Sequence, residues 1–249
     1  MTLKNEIVQW IRQWFAANGD DCVAVIGISG GCDSTVVAGL CVEALGADRV
    51  VGVLLPDGAQ SDIEDSRRVV SELGIRSFTI NIGKAHNAIV KEMKKQGIPP
   101  SSQTQMNLPP RLRMSTLYAV SQTVKGRVVN TSNLSERSIG WGTRWGDTVG
   151  DLSPLGWLTK HLVIAIGHEI ESLKPISDLI DKTPSDGLTG KSDEENFGFS
   201  YDALDQYIMT GECSNPNAEE TILYMFEKNV FKGKMPETFK SATLDQLYN

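Results

Sequence analysis

The stretch Gly27-Ile28-Ser29-Gly30-Gly31-Cys32-Asp33-Ser34 brings three glycines, two of them adjacent, two hydroxyls and one carboxylate together. Paired glycines let a backbone approach an anion closely and adopt φ > 0 without a Cβ penalty. Ser29 and Ser34 add hydroxyl donors. A helix starting here aims its free N–H groups and positive end at the same point. This is chemistry suited to a phosphate or pyrophosphate. Asp33 is the odd member, because a carboxylate repels phosphate unless a divalent cation stands between them. Mg2+ suits that place, binding through few carboxylates plus phosphate oxygens. Glu136 follows an apolar run and offers a second carboxylate that could share the same ion. The plainer alternative is a tight turn in which Asp33 and Ser34 only cap a helix. Gly190-Lys191-Ser192 imitates the end of a Walker loop, but the required first glycine falls on Ser185, so a surface loop is expected there.

These residues need a scaffold, and the chain alternates strand and helix signals. Residues 3–17 read as an amphipathic helix with Ile7, Trp10, Ile11 and Trp14 at helical spacing. Buried strands are expected at 22–28 and 49–55, and further strands at 75–82 and 126–132. Helices are expected at 34–45, 61–73 (with Ser61 as cap), 84–96, 111–125, 159–173, 201–211 and 220–231. Residues 96–110 read as a polar loop with Pro110 as an early helix residue, 133–159 as irregular, and 182–196 as a mobile surface loop. Such alternation implies an α/β fold with a doubly wound, mostly parallel sheet, here expected to have five strands with helices on both faces. Ligands in such sheets bind beyond the carboxyl ends of the strands, where strand order reverses.

Composition narrows the partners. The chain carries 24 Lys+Arg against 31 Asp+Glu, a net charge of −7, which argues against nucleic acid or a membrane surface. No stretch approaches the ~18 apolar residues of a membrane span. Cys22, Cys32, Cys41 and Cys213 form no CxxC pair, which fits reduced thiols in a cytoplasmic protein better than zinc or disulfides.

The SGGxDS motif resembles the pyrophosphate loop of the N-type ATP pyrophosphatases. Within that superfamily, residues 22–240 are similar to the ammonia-dependent, single-domain NAD synthetases. The later segments that carry this are NLPPRLRM (107–114), VVNTSNLSERSIGWGTRWGDTVGDLSPL (128–155), LTKHL (158–162), PISDL (175–179) and FKGKMPETF (231–239). The resemblance implies one domain over 1–249 without a glutaminase domain, and an adenine nucleotide alpha hydrolase-like fold. It implies ATP contacts from Gly27, Ile28, Ser29, Gly30, Gly31, Cys32, Asp33, Ser34, Thr131, Lys160 and Ser177. Deamido-NAD would meet Arg113, with Arg111 beside it, and Arg144, Asp151 and Lys232. Mg2+ would sit on Asp33 and Glu136. Arg144 stands where the family usually has lysine, Ile176 where it has threonine, and Phe231 where it has histidine.

The reaction so implied amidates deamido-NAD to NAD with ATP and ammonia, releasing AMP and pyrophosphate through an adenylate. Asp33, Glu136 and Lys160 would be the catalytic set, and a lid over 182–192 would exclude water. A homodimer is implied, with residues 139–157 and 109–125 as candidate interface. Two other readings stay open: another N-type pyrophosphatase, amidating or tRNA-thiolating, and a nucleotide-binding module without catalysis.

Overall fold

Runs of β-branched residues can bury both faces only inside a sheet, and that is where residues 23–27 and 50–54 lie. The structure is a computed structural model describing residues 1–60, 63–185 and 190–239. The chain begins with α1 (Leu3–Asn18), β1 (Val23–Gly27), α2 (Cys32–Leu45) and β2 (Val50–Leu54). It continues with α3 (Ile63–Glu72), β3 (Arg76–Thr79), α4 (Gly83–Lys95), α5 (Ser102–Thr123) and β4 (Gly126–Val128). Then come α6 (Leu134–Ile139), α7 (Lys160–Glu169), α8 (Ser177–Ile180), α9 (Asp193–Phe197), α10 (Tyr201–Thr210) and α11 (Pro216–Asn229). Among the described residues, no helix is long and apolar enough to cross a membrane.

The strands run parallel in the order β3-β2-β1-β4, so strand order reverses between β1 and β4. Alternate residues of β1 feed opposite cores. Ala24 and Ile26 pack with Ile11, Phe15, Val36, Leu40 and Ile166, drawn from α1, α2 and α7. Val25 faces Val51 and Val53, with Leu112, Leu117 and Val120 of α5 closing that side. A third cluster, including Ile139, Phe197, Tyr201, Leu204 and Ile222, joins α6 to α9, α10 and α11.

The architecture is as expected, with five departures in detail. Four strands form among the described residues where five were expected. Beyond β4 there is only a parallel bridge between Val129 and Leu152, with Asn130 N–H donating to Leu152 O at 2.8 Å and Asp151 N–H to Val128 O at 2.7 Å. The glycines and prolines around this segment suit a bridge better than a long ladder. The expected loop 96–110 is half helix: Ser101 caps α5 by accepting from Thr104 N–H at 3.1 Å, and Pro109 and Pro110 sit inside it. An interior proline costs ~3 kcal/mol. Here both rings are buried, and Pro110 lies so close to Gly146 that a Cβ there would come within 3.0 Å. Third, residues 133–159 contain α6, nucleated by Asn133, whose side chain accepts from Glu136 N–H at 2.9 Å. The loop 182–196 ends in α9, which Ser192 and Glu195 start with a capping box. On α1 the buried stripe is Ile7, Val8, Ile11 and Phe15, while Trp10 is exposed. The expected cap at Ser61 and residues 186–189 of the proposed lid lie outside the described residues.

Candidate active site

Beyond the carboxyl ends of β1 and β4 opens a cavity of about 640 Å³. The turn after β1 forms its floor, and the two glycines there have different reasons to exist. Gly30 has φ +80°, and a Cβ would come within 2.7 Å of the Ser66 amide nitrogen, so α3 and the backbone both require glycine. Gly31 has φ −88°, and its Cβ would meet nothing nearer than Ser29 Oγ at 3.5 Å. Its missing side chain leaves space at the mouth of the turn instead. Ser29 and Ser34 hydroxyls lie 3.1 Å apart, and Ser29 Oγ accepts from Gly31 N–H at 3.2 Å. Gly31, the N-cap of α2, offers no side chain to the helix's first amides, an arrangement suited to an incoming anion.

Asp33, Glu136 and Lys160 converge above this turn. Asp33 Oδ1 accepts from Asn133 Nδ2 at 3.0 Å, and its Oδ2 pairs with Lys160 Nζ. Lys160 Nζ also lies 3.9 Å from Glu136 Oε1. The lysine is 2 % exposed, an unusual depth that only charge partners make tolerable. Burial pushes the Glu136 carboxyl up to about 8, with Asp33 adding to the rise and Lys160 opposing it. Burial pulls the Lys160 ammonium down, but Asp33 and Glu136 more than reverse this and hold it above its usual value. Burial, with Asp33 beside it, pushes the Cys32 thiol up to about 12, so this cysteine is no nucleophile. The Lys160 ammonium also stands 5.6 Å from the Tyr201 ring centroid, and Tyr201 donates its hydroxyl to Asp193 at 3.0 Å.

The opposite end is furnished by other segments. Arg113 of α5 lines the cavity and donates from Nε to Leu55 O at 3.0 Å. Lys232 also lines it, and donates to Gly140 O at 2.8 Å and Gly142 O at 3.3 Å. Burial lowers the Lys232 pKa, against the pull of Asp147. Asp147 is raised by burial, which the Thr143 N–H, 2.7 Å from its Oδ1, opposes.

Of the expected residues, the turn from Gly27 through Ser34, Gly30 excepted, lines the cavity together with Thr131, Glu136, Lys160, Arg113 and Lys232. Besides Gly30, three expected residues stand outside its wall. Arg144 is flanked by the Trp145 and Phe231 rings, 5.0 and 5.3 Å away, and donates to Lys234 O at 3.1 Å. Asp151 accepts from Val128 N–H at 2.7 Å, anchoring the bridge beside β4. Ser177 opens α8. Arg111 is exposed and donates to Arg144 O at 3.2 Å. Asn133 and Asp193 also hold or line the site, and sequence reasoning gave neither a role. The Asn133-x-x-Glu136 spacing was a usable helix-cap signal for the first of these.

A family model for NAD synthase matches residues 3–236. The chain is 34% identical over 242 residues to the NH(3)-dependent NAD(+) synthetase of Finegoldia magna, covering 96% of this chain and 95% of that one. It is similar in structure to an NMN synthetase from Francisella tularensis, with TM-score 0.85 and 29% identity, covering 97% of this chain and 100% of that one. It also resembles an NH3-dependent NAD synthetase from Campylobacter jejuni, solved with nitrate, with TM-score 0.73, 27% identity and coverage of 95% and 97%.

Proposed function

The chain belongs to the NAD synthase family, and from that premise we propose the following course for its reaction. It is an ammonia-dependent NAD synthase, a ligase that amidates deamido-NAD with ATP and ammonia. The observation that carries the reading is the meeting of Asp33, Glu136 and Lys160 over the Ser29–Ser34 turn, in one cavity with Arg113 and Lys232. A carboxylate oxygen of the nicotinate ring attacks the α-phosphorus of ATP. The bond from that phosphorus to the β-bridging oxygen breaks, and pyrophosphate leaves into the turn. Lys160, already fully charged, offsets the charge growing on the leaving group. Ammonia then attacks the carbonyl carbon of the adenylate, AMP departs with the bonding electron pair, and the surplus proton passes to solvent. Arg113 and Lys232 orient the substrate carboxylate and phosphates.

Mg2+ fits the donor set on two grounds. Asp33 and Glu136 present hard oxygens that crowd each other, and Lys160 is their shared cation. Mg2+ is ordinarily held by one or two carboxylates together with substrate phosphate oxygens, which is the donor set that these two acids and ATP would offer. Asp33 and Glu136 would hold the ion, which would neutralise charge on the departing pyrophosphate.

The reading extends to one catalytic domain over 1–249 working on free ammonia in the cytoplasm, without nucleic-acid or membrane partners. A homodimer is favoured by the exposure of Trp145 and Trp157 on the 139–157 segment. The closer fit to the NMN synthetase (TM-score 0.85) than to the NAD synthetase (0.73) favours a second reading, in which the amidated carboxylate belongs to a mononucleotide. One assay separates the two. Pyrophosphate release is measured with ammonium chloride and either deamido-NAD or nicotinate mononucleotide, beside a glutamine-only control. We expect sustained, multiple-turnover release with deamido-NAD and ammonium, and no more than one equivalent per active site with glutamine alone. A higher kcat/KM for the mononucleotide would transfer the assignment to the second reading.

A further inference from the structure

Asp205 of α10 lies outside the cavity wall, yet it is tied to both segments that carry the catalytic charges. Its side chain is 7% exposed. Oδ1 accepts from the Ser135 hydroxyl. Oδ2 accepts from the His161 backbone N–H at 3.1 Å and lies 2.7 Å from His161 Nδ1. The Ser135 hydroxyl in turn accepts from the Lys160 backbone N–H at 2.9 Å. Ser135 is the neighbour of Glu136, and His161 the neighbour of Lys160.

The first amides of a helix need acceptors, usually from the N-cap side chain. Thr159, the N-cap of α7, makes no such bond. The Lys160 and His161 amides are satisfied instead by Ser135 of α6 and Asp205 of α10. A local threonine cap would have closed α7 without reference to any other element. The cap used here closes it only when α6 and α10 are both in place.

We propose that Asp205 is a positioning residue that clamps α6 onto the start of α7, and so sets the separation of Glu136 from Lys160. The proposal rests on the reading above, in which those two groups meet Mg-bound ATP. Loss of either clamp partner lets the helix ends drift apart. The effect falls on the phosphate end of the cavity and spares Arg113, which sits on α5 and leans on Leu55 O. Lys232, by contrast, is tied to Gly140 at the end of α6 and follows that helix.

The test is steady-state kinetics and calorimetric Mg·ATP binding for Asp205→Asn and Ser135→Ala. Ser135→Ala removes the bridge while leaving Asp205 on His161, and so serves if the first variant does not fold. Supporting partners behind a metal site typically contribute roughly 10–100-fold. We expect a loss of that order in kcat/KM for ATP, weaker Mg·ATP binding, and a clearly smaller rise in KM for deamido-NAD, because Arg113 keeps its place. Adding Asp205→Asn to Lys160→Ala should weaken Mg·ATP binding little further. Unchanged ATP kinetics and binding in the folded variants, with only a lower Tm, would make Asp205 a plain helix cap and overturn the proposal. Wild-type protein inactive with deamido-NAD would count against the reaction instead, and Mg·ATP binding by the variants would still decide the clamp.

Discussion

At the β1 end of the cavity, charged side chains hold one another: Lys160 sits between Asp33 and Glu136, and Asn133 steadies Asp33. At the far end, Arg113 and Lys232 lean on the main-chain carbonyls of Leu55, Gly140 and Gly142. A carboxylate both orients and neutralises a cation, whereas a carbonyl orients it without neutralising it. The near end is therefore preorganised for charge exchange, with an internal ion pair ready to be reshuffled by phosphate and metal. The far end sets one acid, Asp147, beside two cations, Arg113 and Lys232, and so carries a surplus of positive charge for a substrate that brings its own anions. Chemistry and recognition are thus separated within one cavity.

The sharpest break in this contrast comes from the near end. Asp33→Asn and Glu136→Gln should each cut kcat by two to three orders of magnitude, about 2.7–4 kcal/mol of barrier stabilisation. The double variant should lose little more, because the two carboxylates act through the same partners. Pyrophosphate release checks this, and full activity in either single variant would dissolve the distinction.

A smaller and different signature is expected at the far end. Arg113→Ala should raise KM for deamido-NAD by ~1.5–3 kcal/mol, the worth of a charge-assisted hydrogen bond, with KM for ATP little changed. An equal rise in both constants would mean that the two ends do not divide the substrates.

The two glycines of the turn sharpen the comparison further. Gly30→Ala forces a Cβ at φ +80° and against α3, so it should lower Tm, with a stability loss of ~1 kcal/mol or more. Gly31→Ala should leave Tm alone and weaken ATP binding, since its Cβ has room in the empty protein. Calorimetry with and without ATP distinguishes a structural glycine from a ligand-facing one.

The smallest effect concerns pH and thiols. With Cys32 pushed up to about 12, its thiolate fraction at pH 8 is about one in ten thousand. Native protein should therefore label at half-buried Cys213 and spare Cys32, with Cys32 reactivity rising only toward alkaline pH. Rapid alkylation of Cys32 at pH 7, mapped by mass spectrometry, would show that the near end is far more open than its burial implies.

How much of this was legible depends on how local the signal was. The turn at 27–34 and its helix are a contiguous motif, so the phosphate end was readable residue by residue. Glu136 was readable as a carboxylate following a strand. Lys160 was assigned only through a resemblance, because nothing in its immediate neighbours announces a lysine buried between two acids. The inward helix start at Ser102 was missed because the usual reading of Pro109 and Pro110 places a boundary there. Arg144 was expected on the substrate, and the structure sets it between the Trp145 and Phe231 rings, a contact that no local pattern announced.

What the sequence determined by itself was the α/β alternation, the anion-binding turn, and the inventory of acids and cations. These follow from period, glycine placement and residue type within short windows. Only the tertiary structure decided which of those charges meet. Asp33 and Lys160 are separated by 127 residues, Ser135 and Asp205 by 70, and no local rule predicts either pair. The reduction of the fifth strand to one bridge and the capping of α7 from α10 have the same origin. Each polar group was certain to need a partner, but the partner was supplied by whichever distant segment the packed core brought alongside.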